Sequence, residues 1–170
     1  IKHRSAAAWV DADSRMFLLD APLGPRDRVM AGLSVAFDAS CEEMWLAWRF
    51  GATLVAADRE TARAGDILGD WIIEQDITVV STVPTLAAFW PSEAFDKVRL
   101  LIFGGEACPQ EQVDRLVADG REVWNTYGPT ETTVIVSGHM MTTEPPVRIG
   151  RPIPGWELAV VGPDEEPVKW

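Results

Sequence analysis

Only two cysteines, Cys41 and Cys108, occur in the 170 residues, far apart and with no histidine or cysteine cluster near either. That scarcity argues against a disulfide framework and leaves no metal-ligand spacing, so a reduced, cytoplasmic setting is the expectation. No apolar run approaches the roughly 20 residues that a bilayer span needs. The N-terminus is basic and then merely Ala-rich, without the pattern of a signal peptide. Basic residues are also few, 15 against 26 acidic ones, for a net charge of −11. The positive footprint of a nucleic-acid binder is therefore missing, and no nucleic-acid partner is expected. The acidity reads as solubility or as a preference for a cationic ligand.

Apolar residues make up 47% of the chain, enough to give a domain of this length a real core. Eight tryptophans are many, and the helical spacing of several assigns most of them to core packing. Strand-like and helix-like segments alternate. Arg28–Leu33 reads as a strand, and Ser40 as the N-cap of a helix with Glu43 as the return half of a capping box. Cys41, Met44, Trp45 and Trp48 share one face of that helix, and Gly51 ends it. Thr53–Ala57 is an apolar run. A helix over Asp66–Gln75 carries the stripe Ile67, Leu68, Trp71 and Ile72. Strands follow at Ile77–Ser81 and Val98–Phe103, with a short helix after Pro84 between them. Pro109 suits the first turn of a helix whose inward face is Val113, Leu116 and Val117, and Glu122–Trp124 is one more strand. This rhythm predicts an α/β fold, a largely parallel sheet flanked by helices over residues 1–133. From 134 to 170 short β segments with Pro and Gly turns predict the start of a short β-rich appendage.

Ligands of parallel α/β sheets collect at the carboxyl ends of the strands. Three polar segments follow strands here: Phe37-Asp38-Ala39-Ser40, Gly104-Gly105-Glu106-Ala107 and Asn125-Thr126-Tyr127-Gly128-Pro129-Thr130-Glu131. Each alone reads as a turn. Together and in this order, from about Val10 to Val161, they resemble the adenylation domains of nonribosomal peptide synthetases, within the superfamily that includes acyl-CoA synthetases and luciferases. Gly150-Arg151-Pro152-Ile153 resembles the family's segment after the last motif.

The resemblance implies joining an amino-acid carboxylate to the α-phosphate of ATP, with release of pyrophosphate. The acyl group then passes to the phosphopantetheine of a peptidyl carrier domain. It casts Tyr127 as a stacking surface for adenine and Asn125 as a reader of its edge. Gly104, Gly105, Glu106, Thr126 and Gly128 complete the nucleotide contacts, because backbone at glycine approaches a ligand closely. Thr130 offers its hydroxyl to the α-phosphate, and Glu131 offers a hard oxygen to Mg²⁺.

By the same resemblance Asp38 holds the substrate α-ammonium, through a charge-assisted hydrogen bond. The side-chain pocket it implies comprises Ala39, Glu42, Ser81, Ile102, Gly104, Thr126, Val134 and Ile135. Glu42 is the exception in a small or apolar set. On sequence alone it reads as an acid favoured by a helix N-terminus; within the family pattern it faces the substrate side chain and implies a cationic partner. The set resembles pockets for L-lysine, and less closely those for ornithine.

The family's glycine-rich phosphate loop belongs just before Ile1, since His3-Arg4 resembles the stretch that succeeds that loop. The ribose-binding Asp, the hinge and the catalytic Lys belong beyond Lys169-Trp170. The chain is thus expected to be a central fragment of one adenylation domain, inactive in adenylation by itself. Two other readings stay open: an acyl-CoA synthetase-like enzyme, which Asp38 disfavours, and a non-catalytic binding module that keeps the fold.

Overall fold

The computed structural model describes residues 1–168; Lys169 and Trp170, the last two of the segment 134–170, lie outside the described residues. Five strands run parallel: β1 (Arg28–Ala31), β2 (Thr53–Ala56), β3 (Val79–Thr82), β4 (Leu100–Phe103) and β5 (Glu122–Tyr127). Two antiparallel strands, β6 (Ser137–Met140) and β7 (Arg151–Pro152), extend the same sheet beyond β5 in the order β2-β1-β3-β4-β5-β6-β7. The α/β class expected from the sequence is the one found.

Successive strand residues point to opposite faces, and both faces are buried. Val79, Leu100 and Ile102 pack with Leu46 and Ala47 of helix α2 (Ser40–Phe50) on one side. Val80, Leu101 and Phe103 pack on the other with Leu68 and Ile72 of α4 (Gly65–Glu74), which follows the short α3 (Arg59–Arg63). Ala87 of α5 (Pro84–Ala87) and Val113 and Leu116 of α6 (Gln110–Leu116) complete that second face. The first helix, α1 (His3–Asp13), is not among those expected from the sequence. It buries Trp9 and Ala12 against Val134, Ile135 and Ile153. No helix among the described residues is long and apolar enough to cross a membrane.

Several local expectations are corrected. β1 stops at Ala31 rather than Leu33, because the N–H groups of Gly32 and Leu33 donate to the Glu43 carboxylate instead of to a neighbouring strand. Glu43 is thereby unavailable to a capping box, and Ala39, with no side-chain cap, starts α2. The face of α2 turned inward carries Glu42, Glu43, Leu46 and Ala47, whereas Trp45 and Trp48 are 42% and 55% exposed. Both stripes have helical spacing; the acids lie inward because this helix begins beside a polar cavity. Of the seven described tryptophans, only Trp9 and Trp90 are fully buried. On α4, Ile67 is exposed while Leu68 and Ile72 are buried. Strands β3 and β4 start two residues later than the apolar runs suggest, and Pro109 precedes α6 rather than entering its first turn. Gly51 ends α2 in the left-handed conformation, as expected.

Candidate active site

The register pairs Thr82 with Phe103 and Phe103 with Asn125, so β3 and β4 end level with one another and β5 runs two residues further, to Tyr127. The segments after them therefore emerge side by side, facing the loop that leads into α2. A cavity of about 260 Å³ opens there. Asp38, Ala39 and Glu42 form one wall, Ser81 and Gly104 another, and Thr126, Thr130, Val134 and Ile135 line it as well. Of the expected pocket residues only Ile102 is elsewhere: it is fully buried with Val79 and Leu100 beneath α2. Thr82 lines the cavity too, although no motif in the sequence marks it.

Glu42 is 2% exposed. Its Oε2 accepts a 2.6 Å hydrogen bond from Ser81 Oγ, and its Oε1 is buried with no hydrogen-bond partner among the described residues. Asp38 Oδ2 is buried and unpartnered in the same way. Ser81, expected only to leave room, instead aims the Glu42 carboxylate. Among the described residues no lysine or arginine forms an ion pair with Asp38 or Glu42. Burial raises the Glu42 carboxyl to about 7 against the hydrogen bond from Ser81. It raises the Glu43 carboxyl to about 8, in spite of the backbone donors Gly32 and Leu33.

These raised values have a sign that can be measured. From roughly pH 4.5 to 8 the folded chain holds protons on Glu42 and Glu43 that the unfolded chain has released. Stability contributed by these groups is therefore present at mildly acidic pH and is lost as pH rises through that window. At about 1.4 kcal/mol per pKa unit, the loss should reach a few kcal/mol. Thermal unfolding of the chain is expected to show a midpoint that falls from about pH 5 to about pH 8; a flat or rising midpoint contradicts the burial of these acids.

Gly104 and a strained turn keep the cavity open. A Cβ on Gly104 would lie 2.9 Å from Thr126 Oγ1, the hydroxyl that donates to the Phe103 carbonyl. Thr133 and Val134 have φ of 75° and 64°, a conformation that a β-branched residue adopts only under strain. That turn brings Val134 and Ile135 to the cavity wall, and nothing in the sequence marks it.

A second cavity, about 400 Å³, lies on the other side of Gly128. Gly105, Glu106, Asn125, Thr126 and Tyr127 line it together with Ile149. The Tyr127 ring is half exposed, as a stacking surface must be. Asn125 Nδ2 donates to the Arg148 carbonyl, so the side chain also anchors the loop that carries Ile149. The Glu106 carboxylate is engaged by Thr85, whose N–H and hydroxyl both donate to it. Glu131 is exposed and lines a third, wider opening of about 690 Å³ with Arg4, Ser5 and Trp156. Adjacent residues of one short 3-10 turn, Thr130 and Glu131, thus face different spaces. A flat slot beside an aromatic ring and an exposed carboxylate across the turn suit a nucleotide with its cation.

Comparison with known proteins agrees with this geometry. The family model for AMP-binding enzymes matches residues 1–169. The delta-poly-L-ornithine synthetase of Acinetobacter baumannii is 40% identical over 141 residues, covering 83% of this chain and 10% of that protein. A linear gramicidin synthase of Brevibacillus parabrevis is 37% identical over 170 residues, 99% of this chain and 3% of that one. The chain therefore spans a tenth or less of these relatives. Among solved structures, the Vibrio cholerae adenylation domain AlmE, in complex with glycyl-adenosine-5'-phosphate, shares the fold with a TM-score of 0.82 at 23% identity. That match covers 98% of this chain and 32% of AlmE. CmiS6 gives a TM-score of 0.84 at 25% identity over 100% of this chain and 43% of its own. By fold, motifs and sequence match alike, the chain belongs to the AMP-binding enzyme family, as a segment of an adenylation domain of the nonribosomal peptide synthetase type.

Proposed function

We propose that this segment supplies the amino-acid pocket and half of the nucleotide site of a cytoplasmic peptide synthetase that activates a dibasic amino acid, L-lysine first. One observation carries the reading: a single cavity is lined by two carboxylates, the half-buried Asp38 and the buried Glu42, each with a buried oxygen that has no partner among the described residues. Unpaired buried charge costs several kcal/mol per ion in a protein interior, and a ligand with two ammonium groups removes both deficits. Asp38 would hold the α-ammonium and Glu42 the side-chain ammonium. Fatty and aryl acids carry no cation for either carboxylate, which disfavours an acyl-CoA synthetase.

Gly104 and Ser81 leave room for a long unbranched side chain, and Ala39, Thr126, Val134 and Ile135 flank it. Tyr127 and Asn125 would orient the adenine, with the backbone of Gly105, Glu106 and Gly128 beside it. Thr130, which lines the substrate cavity, would hold the α-phosphate at the substrate carboxylate, and Glu131 would hold Mg²⁺. The substrate carboxylate would attack the α-phosphorus of ATP, forming the aminoacyl-adenylate as the α–β bond breaks and pyrophosphate leaves. The activated acyl group then passes to the phosphopantetheine of a carrier domain. Ornithine is the second reading, favoured by the similarity to the ornithine synthetase of Acinetobacter baumannii.

The test is pyrophosphate exchange by the intact synthetase that carries this segment. Exchange with lysine well above that with leucine or phenylalanine is expected. Equal exchange with all three overturns the dibasic assignment, and a preference for ornithine over lysine selects the second reading. A protein inert with every amino acid would instead be a binding module. The 170-residue chain alone is expected to form no AMP from lysine and ATP.

A further inference from the structure

Glu42 is not the only buried acid near the cavity. Asp13, the last residue of α1, is 2% exposed, and its Oδ1 has no hydrogen-bond partner among the described residues. Its neighbour Ala12 packs in the same cluster as the cavity-lining Val134 and Ile135, with Cys41, the residue before Glu42, against that cluster. The end of α1 is thus pressed against the back of the substrate cavity, although Asp13 is not among the residues lining it. Burial first, and the Glu42 carboxylate second, push the Asp13 carboxyl well above the ordinary range, so the two acids feel each other's charge.

A purely structural role explains this acid poorly. The carboxyl end of a helix disfavours a negative charge, and a buried carboxyl with an unmade hydrogen bond destabilises the fold. The nearest acid on α1, Asp11, is exposed and paired with Arg15 and Arg49, which leaves neither arginine bonded to Asp13. Two neighbouring buried carboxyls, each with a free oxygen and, among the described residues, no basic side chain bonded to them, form a site for a cation brought by the ligand.

We propose that Asp13 is a specificity-determining residue, whose negative charge behind Glu42 selects amino acids with a cationic side-chain terminus over neutral ones of the same length. This rests on the dibasic reading of the cavity and extends it to a second acid. Asp13 acts on the ligand's ammonium through space, as a positioning charge rather than a contact.

The discriminating quantity is the ratio of kcat/KM for lysine to that for norleucine, its neutral counterpart, in pyrophosphate exchange by the intact synthetase. Coupling between two sites changes a ratio of this kind about ten-fold, so Asp13→Asn is expected to lower it by about that factor. Because both substrates are read on one preparation, a partial loss of folded protein cancels from the ratio. Asp13→Ser gives the same readout if the Asn variant does not fold. A ratio unchanged in the variants, with both activities falling together or neither falling, overturns the proposal and leaves Asp13 a packing residue. The two levels separate cleanly. If the unaltered synthetase fails to prefer lysine or ornithine over norleucine, the dibasic reading itself falls. If it discriminates, and Glu42→Gln removes the discrimination while Asp13→Asn does not, only the role of Asp13 falls.

Discussion

Glu42→Gln is expected to weaken lysine activation by about 2–5 kcal/mol, on the order of 30-fold to several thousand-fold in kcat/KM. Glutamine keeps the shape of the side chain and an oxygen that can accept from Ser81 Oγ, the 2.6 Å bond that now aims the carboxylate. The substitution removes the countercharge alone. A lysine ammonium brought into the cavity would then be desolvated with no anion beside it, and that penalty dominates the expected loss. Norleucine carries no such charge, so its activation should fall far less. The measurement is pyrophosphate exchange with the two substrates side by side. Unchanged discrimination between them contradicts the role proposed for Glu42. The raised carboxyl of Glu42, about 7 in the chain without ligand, is consistent with a group that waits for a cation.

The second large effect is structural. Gly128→Ala should destabilise the chain by about 2–4 kcal/mol and disorganise the cavity. An added Cβ would lie 2.5 Å from the Ile135 Cα, 2.7 Å from the Val134 carbonyl oxygen and 2.8 Å from the Val136 nitrogen. All three are backbone atoms, so no side-chain rotation relieves the clash. Val136 N also donates to the Tyr127 carbonyl at 2.8 Å, which fixes the separation that the methyl group would have to widen. The glycine of the motif is thus required for close approach: two stretches of backbone touch where the substrate cavity and the slot beside Tyr127 meet. Urea unfolding of the chain reads the effect. Gly24→Ala is the control, since its added methyl meets nothing within 4 Å and should change stability by no more than about 0.5 kcal/mol. Equal stabilities for the two variants contradict the close approach at Gly128.

How far the sequence disclosed this site depended on whether the signal was local. Gly51 and the break at Gly104-Gly105 are set by turn chemistry and lie where the sequence places them, whereas β5 runs three residues past the expected Trp124 and takes Asn125, Thr126 and Tyr127 into the strand. The parallel sheet followed from β-branched runs alternating with helical stripes. Burial, by contrast, is decided by what lies opposite. Trp45 and Trp48 form an apolar stripe on α2, yet the helix turns Glu42 and Glu43 inward because a polar cavity and the free N–H groups of Gly32 and Leu33 await them. Ser40 and Glu43 match a capping box in spacing, but the distant backbone outcompetes the local one for the carboxylate. Glu42 itself was legible only through the family pattern, since an acid near a helix start is ordinary. Asp13 was not legible at all: an acid beside Asp11 and Ser14 reads as a solvated helix end. The left-handed turn at Thr133-Val134 has no local signal, because Val is among the residues least suited to it.

The most direct measurement is a crystal structure of the intact adenylation domain with bound lysine. The expected result is the α-ammonium at Asp38 Oδ2 and the side-chain ammonium at Glu42 Oε1, each at about 2.7–2.9 Å. A lysine whose side chain turns away from Glu42, or a neutral amino acid seated with the Glu42 oxygen still unpartnered, would contradict the dibasic pocket.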